Sequence, residues 1–325
     1  GGVTYNPLYQ MRGRAVHVCA VGCPYSTLAS AVAAITDASA TNRYTVIMHP
    51  GDYNEDVTIG SYVTVSGMDR ASTRVKVIRT DATNNATETG IFNITVGQLA
   101  ANNQPTVPTK TYIGNANVGI IDGSAPGGAD TGETIRCQKN ETLYSNGNVY
   151  RGRTWATSCS GDNSTFLSSG DTFILDSTVT SQVGQFATPA DEGGLTMSIV
   201  GANIIATISD TAVPGGGVGC PHNPAATVTV SGKVRIVSST ISIVSTNAGR
   251  NADLSCIHVP SGACWRPGDQ WLDYEFIDVA CSITAADSAS TLRGVYFPAD
   301  ADHSGVNVLW QGGSIKLSGG GARYD

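Results

Sequence analysis

The stretch that decides the fold is ATVTVSGKVRIVSSTISIV, which runs from Ala226 to Val244. Apolar, mostly β-branched residues alternate in it with polar residues over three short runs, and only a few turn residues separate the runs. Such alternation is typical of strands that bury one face. Because this spacing leaves no room for crossover helices, the runs are best explained as successive strands of a solenoid.

The same pattern continues over most of the chain. Stacked coils would bury the inward-facing valines and isoleucines in one continuous core. The sequence therefore predicts an all-β fold, a right-handed parallel β-helix, with a jelly roll or β-sandwich as the alternative. The predicted strands are Tyr44–Met48, Val57–Ile59, Tyr62–Val65, Val75–Ile78, Ile91–Val96, Asp171–Val179, Leu195–Ile208, Ala226–Val244, Cys256–Val259, Tyr274–Ile283, Leu292–Phe297 and Val306–Leu317.

One segment has helical periodicity instead. Leu28, Ala31, Val32 and Ile35 are spaced to share one face of a helix, which predicts a helix over residues 26–39 with its N-cap at position 26 or 27. An amphipathic helix laid across the end of a solenoid would cover unpaired strand edges. We therefore expect an N-terminal capping α-helix.

The chain is predicted to contain one large domain. We expect residues 1–14 to form an N-terminal arm and residues 15–325 to form a single β-helix domain. Prolines and glycines are frequent in residues 97–170, which predicts a loop-rich excursion held down by Cys137 and Cys159.

Composition excludes two classes of partner. Only 14% of the 325 residues are charged, the formal net charge is −7, and no cluster of Lys and Arg occurs that would displace counterions from nucleic acid. The longest apolar stretch, Leu195–Ile208, is too short to span a bilayer. We expect no nucleic-acid partner and no membrane span.

The cysteine content predicts an oxidising, extracellular location. An even number of cysteines in a chain with few charges suits disulfides. Local closure favours Cys19 with Cys23, Cys137 with Cys159 and Cys256 with Cys264, which leaves Cys220 for Cys281.

A metal site is an alternative, because Cys220-Pro-His222 and Cys256-Ile-His258 repeat the same Cys-x-His spacing. It is the weaker alternative, because zinc sites rarely use this spacing. We expect neither a metal nor another cofactor. The eight disulfide candidates are Cys19, Cys23, Cys137, Cys159, Cys220, Cys256, Cys264 and Cys281.

The chain starts at Gly1 with no signal-like segment, so we expect a processed mature chain or a fragment. Four glycosylation sequons would suit a glycosylated surface, although so many arise by chance in a chain rich in Asn, Ser and Thr. They lie at Asn85, Asn93, Asn140 and Asn163.

The N-terminal region resembles a known superfamily. Residues 25–35 (YSTLASAVAAI), 45–55 (TVIMHPGDYNE) and 63–67 (VTVSG) are similar to the opening of the pectinesterases, members of the pectin-lyase-like superfamily, and viral tail-spike or fibre β-helices are similar here too. The resemblance covers about residues 16–80. It implies that Gly51 makes a turn with Asp52, that Tyr53 packs, and that Glu55 accepts hydrogen bonds near the next coil.

The catalytic motifs of the pectinesterases have no clear counterpart. The family uses two aspartates, a glutamine for the oxyanion and an Arg-Trp pair for the sugar. Only Asp171-Thr-Phe-Ile-Leu and Gly152-Arg-Thr-Trp155 resemble parts of these motifs, and their order is reversed. Without the acid/base and the oxyanion donor, ester cleavage would lose its two largest contributions. The sequence therefore predicts a chain that is not an enzyme.

Tryptophans offer a different function, because sugar rings stack on exposed aromatic faces, although tryptophans more often pack loops onto a solenoid. Candidate glycan contacts are Trp155, Trp265, Trp271 and Trp310.

The first hypothesis for the function of the whole chain is a structural or adhesive, self-associating subunit of an extracellular assembly, such as a virion spike or a surface filament. The alternatives are a polysaccharide-active enzyme (an esterase, lyase or hydrolase) and a lectin-like module, all three compatible with surface glycans as partners.

Overall fold

The computed structural model of the chain describes about two thirds of its length. The described residues are 14–81, 88–102, 109–119, 136–137, 141–151, 154–158, 165–177, 184–187, 196–208, 226–230, 233–246, 253–258, 272–286, 291–296, 306–319 and 321–322.

Strands dominate these residues, with one short helix near the start. The helix α1 spans Leu28–Ala33. The strands are β1 Arg14–Val18, β2 Tyr44–Met48, β3 Gly51–Ile59, β4 Val63–Gly67, β5 Thr73–Asp81, β6 Glu88–Phe92, β7 Thr95–Asn102, β8 Thr109–Gly114, β9 Asn117–Gly119, β10 Arg136–Cys137, β11 Glu141–Asn146, β12 Val149–Arg151, β13 Thr154–Ser158, β14 Thr165–Ser169, β15 Thr172–Ser177, β16 Gly184–Ala187, β17 Thr196–Val200, β18 Asn203–Ile208, β19 Ala226–Val230, β20 Lys233–Val237, β21 Thr240–Ser245, β22 Asp253–His258, β23 Leu272–Ile277, β24 Ala280–Ala285, β25 Thr291–Tyr296, β26 Val306–Gln311, β27 Ser314–Ser318 and β28 Gly321–Ala322.

The described strands form three parallel sheets, each built from strands of successive coils. Sheet A has the order β1-β2-β4-β6-β8-β11-β14-β17-β20-β23-β26, sheet B runs β3-β5-β7-β9-β12-β15-β18-β21-β24-β27, and sheet C runs β10-β13-β16-β19-β22-β25-β28. The chain therefore passes through the sheets in turn and returns to each one a coil later. This arrangement confirms the predicted parallel β-helix and excludes the β-sandwich, in which most neighbouring strands run antiparallel.

Alternation along each strand produces the core. In sheet A, Val65, Ile91 and Ile113 occupy one inward-facing column on neighbouring strands, and each is at most 1% exposed. In sheet B, the ring of Tyr150 stacks on Phe173 of the next coil, with centroids 5.2 Å apart. Each coil thus buries its apolar residues against the coils on both sides.

A turn with a left-handed residue joins sheet A to sheet B in each coil from β6 onward. The backbone N–H of this residue donates to the last carbonyl of the next sheet A strand, for example from Asn115 to Asn146 at 3.1 Å and from Gly170 to Val200 at 2.9 Å. Glycine, asparagine and aspartate tolerate this conformation best. The residues are Asn93, Asn115, Gly147, Gly170, Gly201, Ser238, Asp278 and Gly312.

Helix α1 is shorter than the predicted helix over residues 26–39. Thr27 caps its start by accepting from the N–H of Ser30 at 3.1 Å, and the helix ends at Ala33. The β-branched Ile35 and Thr36 that follow favour helix less, and Asp37 is held by the hydroxyl of Tyr44 at 2.6 Å, which turns the chain back toward β2.

The buried side of α1 joins the hydrophobic core. Leu28 and Ala31 are fully buried, Val32 and Ile35 pack against the core at its edge, and the helix contacts β1, β2 and β3. Its role as a cap remains a prediction.

The motif residues after β2 differ in part from the expectation. Gly51 and Asp52 do not form a turn but begin β3, which runs on to Ile59 past a register shift between Tyr53 and Asp56. Tyr53 packs, as expected, with its hydroxyl donating to the carbonyl of His49 at 3.0 Å. The longer strand arises because β3 pairs with the continuous strand β5.

The described parts of residues 97–170 continue the three sheets through strands β7 to β14, in register with the coils on both sides. Residues 1–13 lie outside the described part, so the arm and the single-domain division remain predictions. Within the described residues, no helix is long and apolar enough to cross a membrane.

The structure corrects part of the disulfide assignment. Cys19 pairs with Cys23, but Cys256 pairs with Cys281 instead of Cys264, and this also rules out Cys220 as the partner of Cys281. Cys256 in β22 and Cys281 in β24 both face the interior and are at most 2% exposed, so consecutive coils bring together residues that are 25 positions apart. Cys159, Cys220 and Cys264 and the side chain of Cys137 lie outside the described residues. The disulfide removes Cys256 from the Cys-x-His alternative.

Candidate functional site

Most of the candidate glycan contacts and sequons lie where the structure describes no side chain. This holds for Trp155, Trp265 and Trp271, for the neighbouring Arg153, and for the sequons at Asn85, Asn140 and Asn163. Their roles remain predictions.

One candidate glycan contact, Trp310, and one sequon, Asn93, are described. Trp310 in β26 is partly buried against the core, its ring centroid 5.4 Å from that of Phe276, and its indole N–H donates to the carbonyl of Gly312 at 2.9 Å. Asn93 lies at a turn, where its side-chain oxygen accepts from the amide of Asn115 at 2.8 Å. Trp310 is in register with the fully buried Phe276, so it belongs to an inward-facing column and is only partly exposed.

Asp171, which resembles a nucleophile in sequence, lies inside the β-helix and is fully buried. Its carboxylate accepts from the backbone N–H of Asn148 at 2.8 Å and from the hydroxyl of Ser168 at 2.6 Å. Burial raises the pKa of Asp171 to about 6, against the opposing effect of these hydrogen bonds. A carboxylate enclosed in this way cannot reach a substrate outside the coils, so its role is to hold two coils together.

The outer face of sheet A carries a different group of side chains, which we call the aromatic cluster: Arg43, Tyr62, Glu88, Tyr112 and Tyr144. Tyr112 in β8 and Tyr144 in β11 are direct neighbours in register, and their rings stack 4.8 Å apart at an interplanar angle of 11°. Both are partly exposed. The two rings stack because side chains in register on neighbouring parallel strands are separated by the distance between the strands.

A charged pair lies at one side of the stacked rings. The guanidinium of Arg43 lies 2.8 Å from a carboxylate oxygen of Glu88 and 5.3 Å from the ring centroid of Tyr62. Partial burial holds the Arg43–Glu88 pair in place, since both side chains are less than a third exposed. The cluster therefore combines flat apolar rings with fixed donors and acceptors.

The electrostatics of Tyr112 favour binding over acid–base chemistry. Burial, with smaller effects from Glu88 and Tyr144, raises the pKa of Tyr112 to about 12, while Arg43 opposes the shift. The phenol therefore stays protonated at neutral pH and can donate a hydrogen bond. A group that does not release its proton near neutrality is a poor general base.

The cluster was missed in the sequence because its successive members are 19 to 32 positions apart along the chain. One signal was available: Tyr112 and Tyr144 each lie three residues before a left-handed turn residue, Asn115 and Gly147. Residues at equal distance from this turn fall in the same column of sheet A, so aligning the turns first would have stacked the two tyrosines.

Two solved structures of an enzyme match the chain. Both are of the pectin methylesterase from Aspergillus niger, one deglycosylated and one penultimately deglycosylated with an N-acetylglucosamine stub at its own residue 84. The identities are 12% and 14%, each match covers 95% of this chain and 85% of the other, and the TM-scores are 0.27 and 0.26. No protein-family model and no curated protein matches the chain.

The chain has a parallel β-helix fold. The three stacked parallel sheets define this fold, whereas TM-scores this low carry no argument about a shared reaction. The expectation that the chain is not an enzyme is contradicted by these two matches, which are both structures of an enzyme, although at this similarity they identify no reaction for this chain. Missing family motifs do not mean missing chemistry, because other side chains can supply an acid, a base or an oxyanion donor.

Proposed function

We propose that this chain is a polysaccharide-active β-helix protein that holds a glycan on the outer face of sheet A at the aromatic cluster. The observation that carries the proposal is the stack of Tyr112 and Tyr144 on neighbouring coils, partly exposed and flanked by the Arg43–Glu88 pair.

The chemistry of the cluster suits a sugar. Aromatic rings provide apolar faces for the C–H side of a pyranose, and the phenols, guanidinium and carboxylate provide partners for its hydroxyls. Nearly neutral surroundings also suit a glycan, since Arg43 and Glu88 balance each other. A protein partner would instead need a larger apolar surface than two tyrosines provide.

A binding assay tests the site. Soluble and immobilised neutral and acidic polysaccharides are offered to the native chain, and the retained ligand is then measured with Tyr112→Ala and Tyr144→Ala. We expect each variant to weaken binding by about 10-fold, the value of one aromatic contact. Trp310→Phe is the matched control, because Trp310 lies at the other end of sheet A. If Trp310→Phe loses the ligand while both tyrosine variants retain it, the binding site lies at Trp310 instead. If the native chain retains no polysaccharide, the proposal is contradicted.

Turnover is tested on the same ligands. Methanol, reducing ends and unsaturated products report esterase, hydrolase and lyase action, respectively. We expect one of these products from the polysaccharide that binds, at a rate that falls with Tyr112→Ala. A ligand that binds at the cluster but gives no product would leave a lectin-like module as the function.

A second candidate is self-association in an extracellular assembly, as a virion or surface subunit. It is supported by the two disulfides, which persist in oxidising surroundings, and by apolar residues exposed on β26 and β27. Val308, Leu309 and Ile315 are 37%, 48% and 44% exposed. Sedimentation tests this candidate: a stable monomer at micromolar concentration contradicts it. Deleting residues 1–14 should dissociate the assembly if the arm reaches a neighbouring copy.

A further inference from the structure

We propose that His17 and His49 form a binding site for a divalent transition-metal ion on the first two coils. His17 faces outward on β1, and His49 directly follows β2 on the neighbouring coil. The Nδ1 atom of His17 lies 3.1 Å from the Nε2 atom of His49, and both side chains are accessible. This site is separate from the aromatic cluster and does not depend on the proposed glycan.

The distance between the two nitrogens fits two ligands of one ion. Imidazole nitrogens bind zinc at about 2.0–2.1 Å, so two of them in neighbouring positions of a square-planar or tetrahedral ion lie about 2.8 to 3.4 Å apart. The observed 3.1 Å lies within this range. The ring planes are inclined by 55°, and the rings can turn about their side-chain bonds to aim both lone pairs at one ion.

The backbone holds both histidines in place. The N–H of His49 donates to the carbonyl of Val18 at 2.9 Å, and the carbonyl of His49 accepts from the hydroxyl of Tyr53 at 3.0 Å. His17 precedes the fully buried Val18 and the loop closed by the Cys19–Cys23 disulfide. A site with both ligands on such supported backbone needs little ordering when the ion binds.

Two imidazoles favour a late first-row ion. Nitrogen ligands suit copper(II), nickel(II) and zinc(II), with copper(II) bound most tightly, whereas calcium and magnesium prefer oxygen. The described residues contain no group of three or more metal-binding side chains, so further ligands would have to come from solvent or from residues outside the described part. An open coordination position of this kind can also take up a donor group from a ligand.

The proposal is tested with the native chain and copper(II). The ion is titrated by calorimetry and its ligands are identified by electron paramagnetic resonance, for the native chain, His17→Gln and His49→Gln. Zinc(II) is added separately while the melting temperature is followed. The double variant His222→Gln, His303→Gln is the control, because it keeps both proposed ligands and removes two other histidines.

We expect coupling of copper to two imidazole nitrogens in the native chain and in the control. Each single variant should show one nitrogen and bind about 10-fold or more weakly. Zinc should raise the melting temperature of the native chain, because the ion binds only where the two coils are folded together, and not that of either variant. Equal affinity in the native chain and His17→Gln would overturn the proposal, as would loss of the two-nitrogen signal in the control. A native chain that binds neither ion would show that the two rings share only a hydrogen bond.

Discussion

The buried carboxyl of Asp171 makes the stability of the β-helix depend on pH, and Asp171→Asn removes this dependence. The substitution keeps the shape of the side chain. The introduced amide oxygen can accept from the N–H of Asn148 as the carboxylate does, and the amide nitrogen can donate to the hydroxyl of Ser168. The difference between the two chains is therefore mainly the buried charge.

The size of the effect follows from the pKa. In the unfolded chain the carboxyl has its ordinary pKa of 3.8, and in the folded chain burial raises the pKa to about 6. The folded chain therefore binds the proton more tightly, so the stability contributed by this group is greatest below pH 4 and is lost as pH rises through 6. Two pKa units correspond to about 3 kcal/mol. Most of this linkage falls between pH 4 and pH 7, so the free energy of unfolding of Asp171→Asn, relative to the native chain, should rise by about 2.4 kcal/mol over that range.

Denaturant unfolding at pH 4, 5, 6, 7 and 8 measures this difference. Asp278→Asn is the matched control, because Asp278 lies at the left-handed position of an equivalent turn but is exposed, and asparagine tolerates the same conformation. It reports the effect of the same Asp-to-Asn change at an exposed position. If the stability difference between Asp171→Asn and the native chain is the same at pH 4 and pH 7, the carboxyl is not held in a buried, desolvated position and the reasoning fails.

Three further predictions concern the first coils and the covalent links. Leu28→Asp should lower the free energy of unfolding by about 4 kcal/mol, because it places an unpaired carboxylate at a fully buried position. An unchanged melting temperature would remove the argument for a capping helix. Glu55→Ala should lower the free energy of unfolding by about 1–2 kcal/mol, because Glu55 accepts from the first two N–H groups of α1 at 3.0 and 2.8 Å. Glu55→Gln should keep part of this stabilisation. Equal melting temperatures for the two variants would contradict this role of Glu55. Alkylation without reductant should leave Cys256 and Cys281 unlabelled. Cys281→Ala should lower the free energy of unfolding, measured by chemical denaturation, by about 3 kcal/mol. Four or more reactive thiols in the native chain would contradict an extracellular location.

Local sequence was enough to predict the fold class. The alternation in residues 226–244 requires strands with one buried face, and the short connections require that these strands come from stacked coils. The position of α1 followed from the spacing of Leu28, Ala31, Val32 and Ile35, although its length did not, because the contact of Asp37 with Tyr44 in β2 turns the chain after it. Glu55, which the resemblance places as a hydrogen-bond acceptor near the next coil, accepts instead from the first N–H groups of α1, 27 and 26 positions away.

What the sequence determined by itself was the existence of coils; their register was decided only in the folded chain. Equivalent turn positions are separated by as few as 22 and as many as 40 residues, so no fixed period shows which side chains stack. The pairing of Cys256 with Cys281, the stack of Tyr112 on Tyr144, and the approach of His17 to His49 all depend on this register. Each is a contact between neighbouring coils, and such contacts form because backbone hydrogen bonds align the strands, whatever the length of the loop between them.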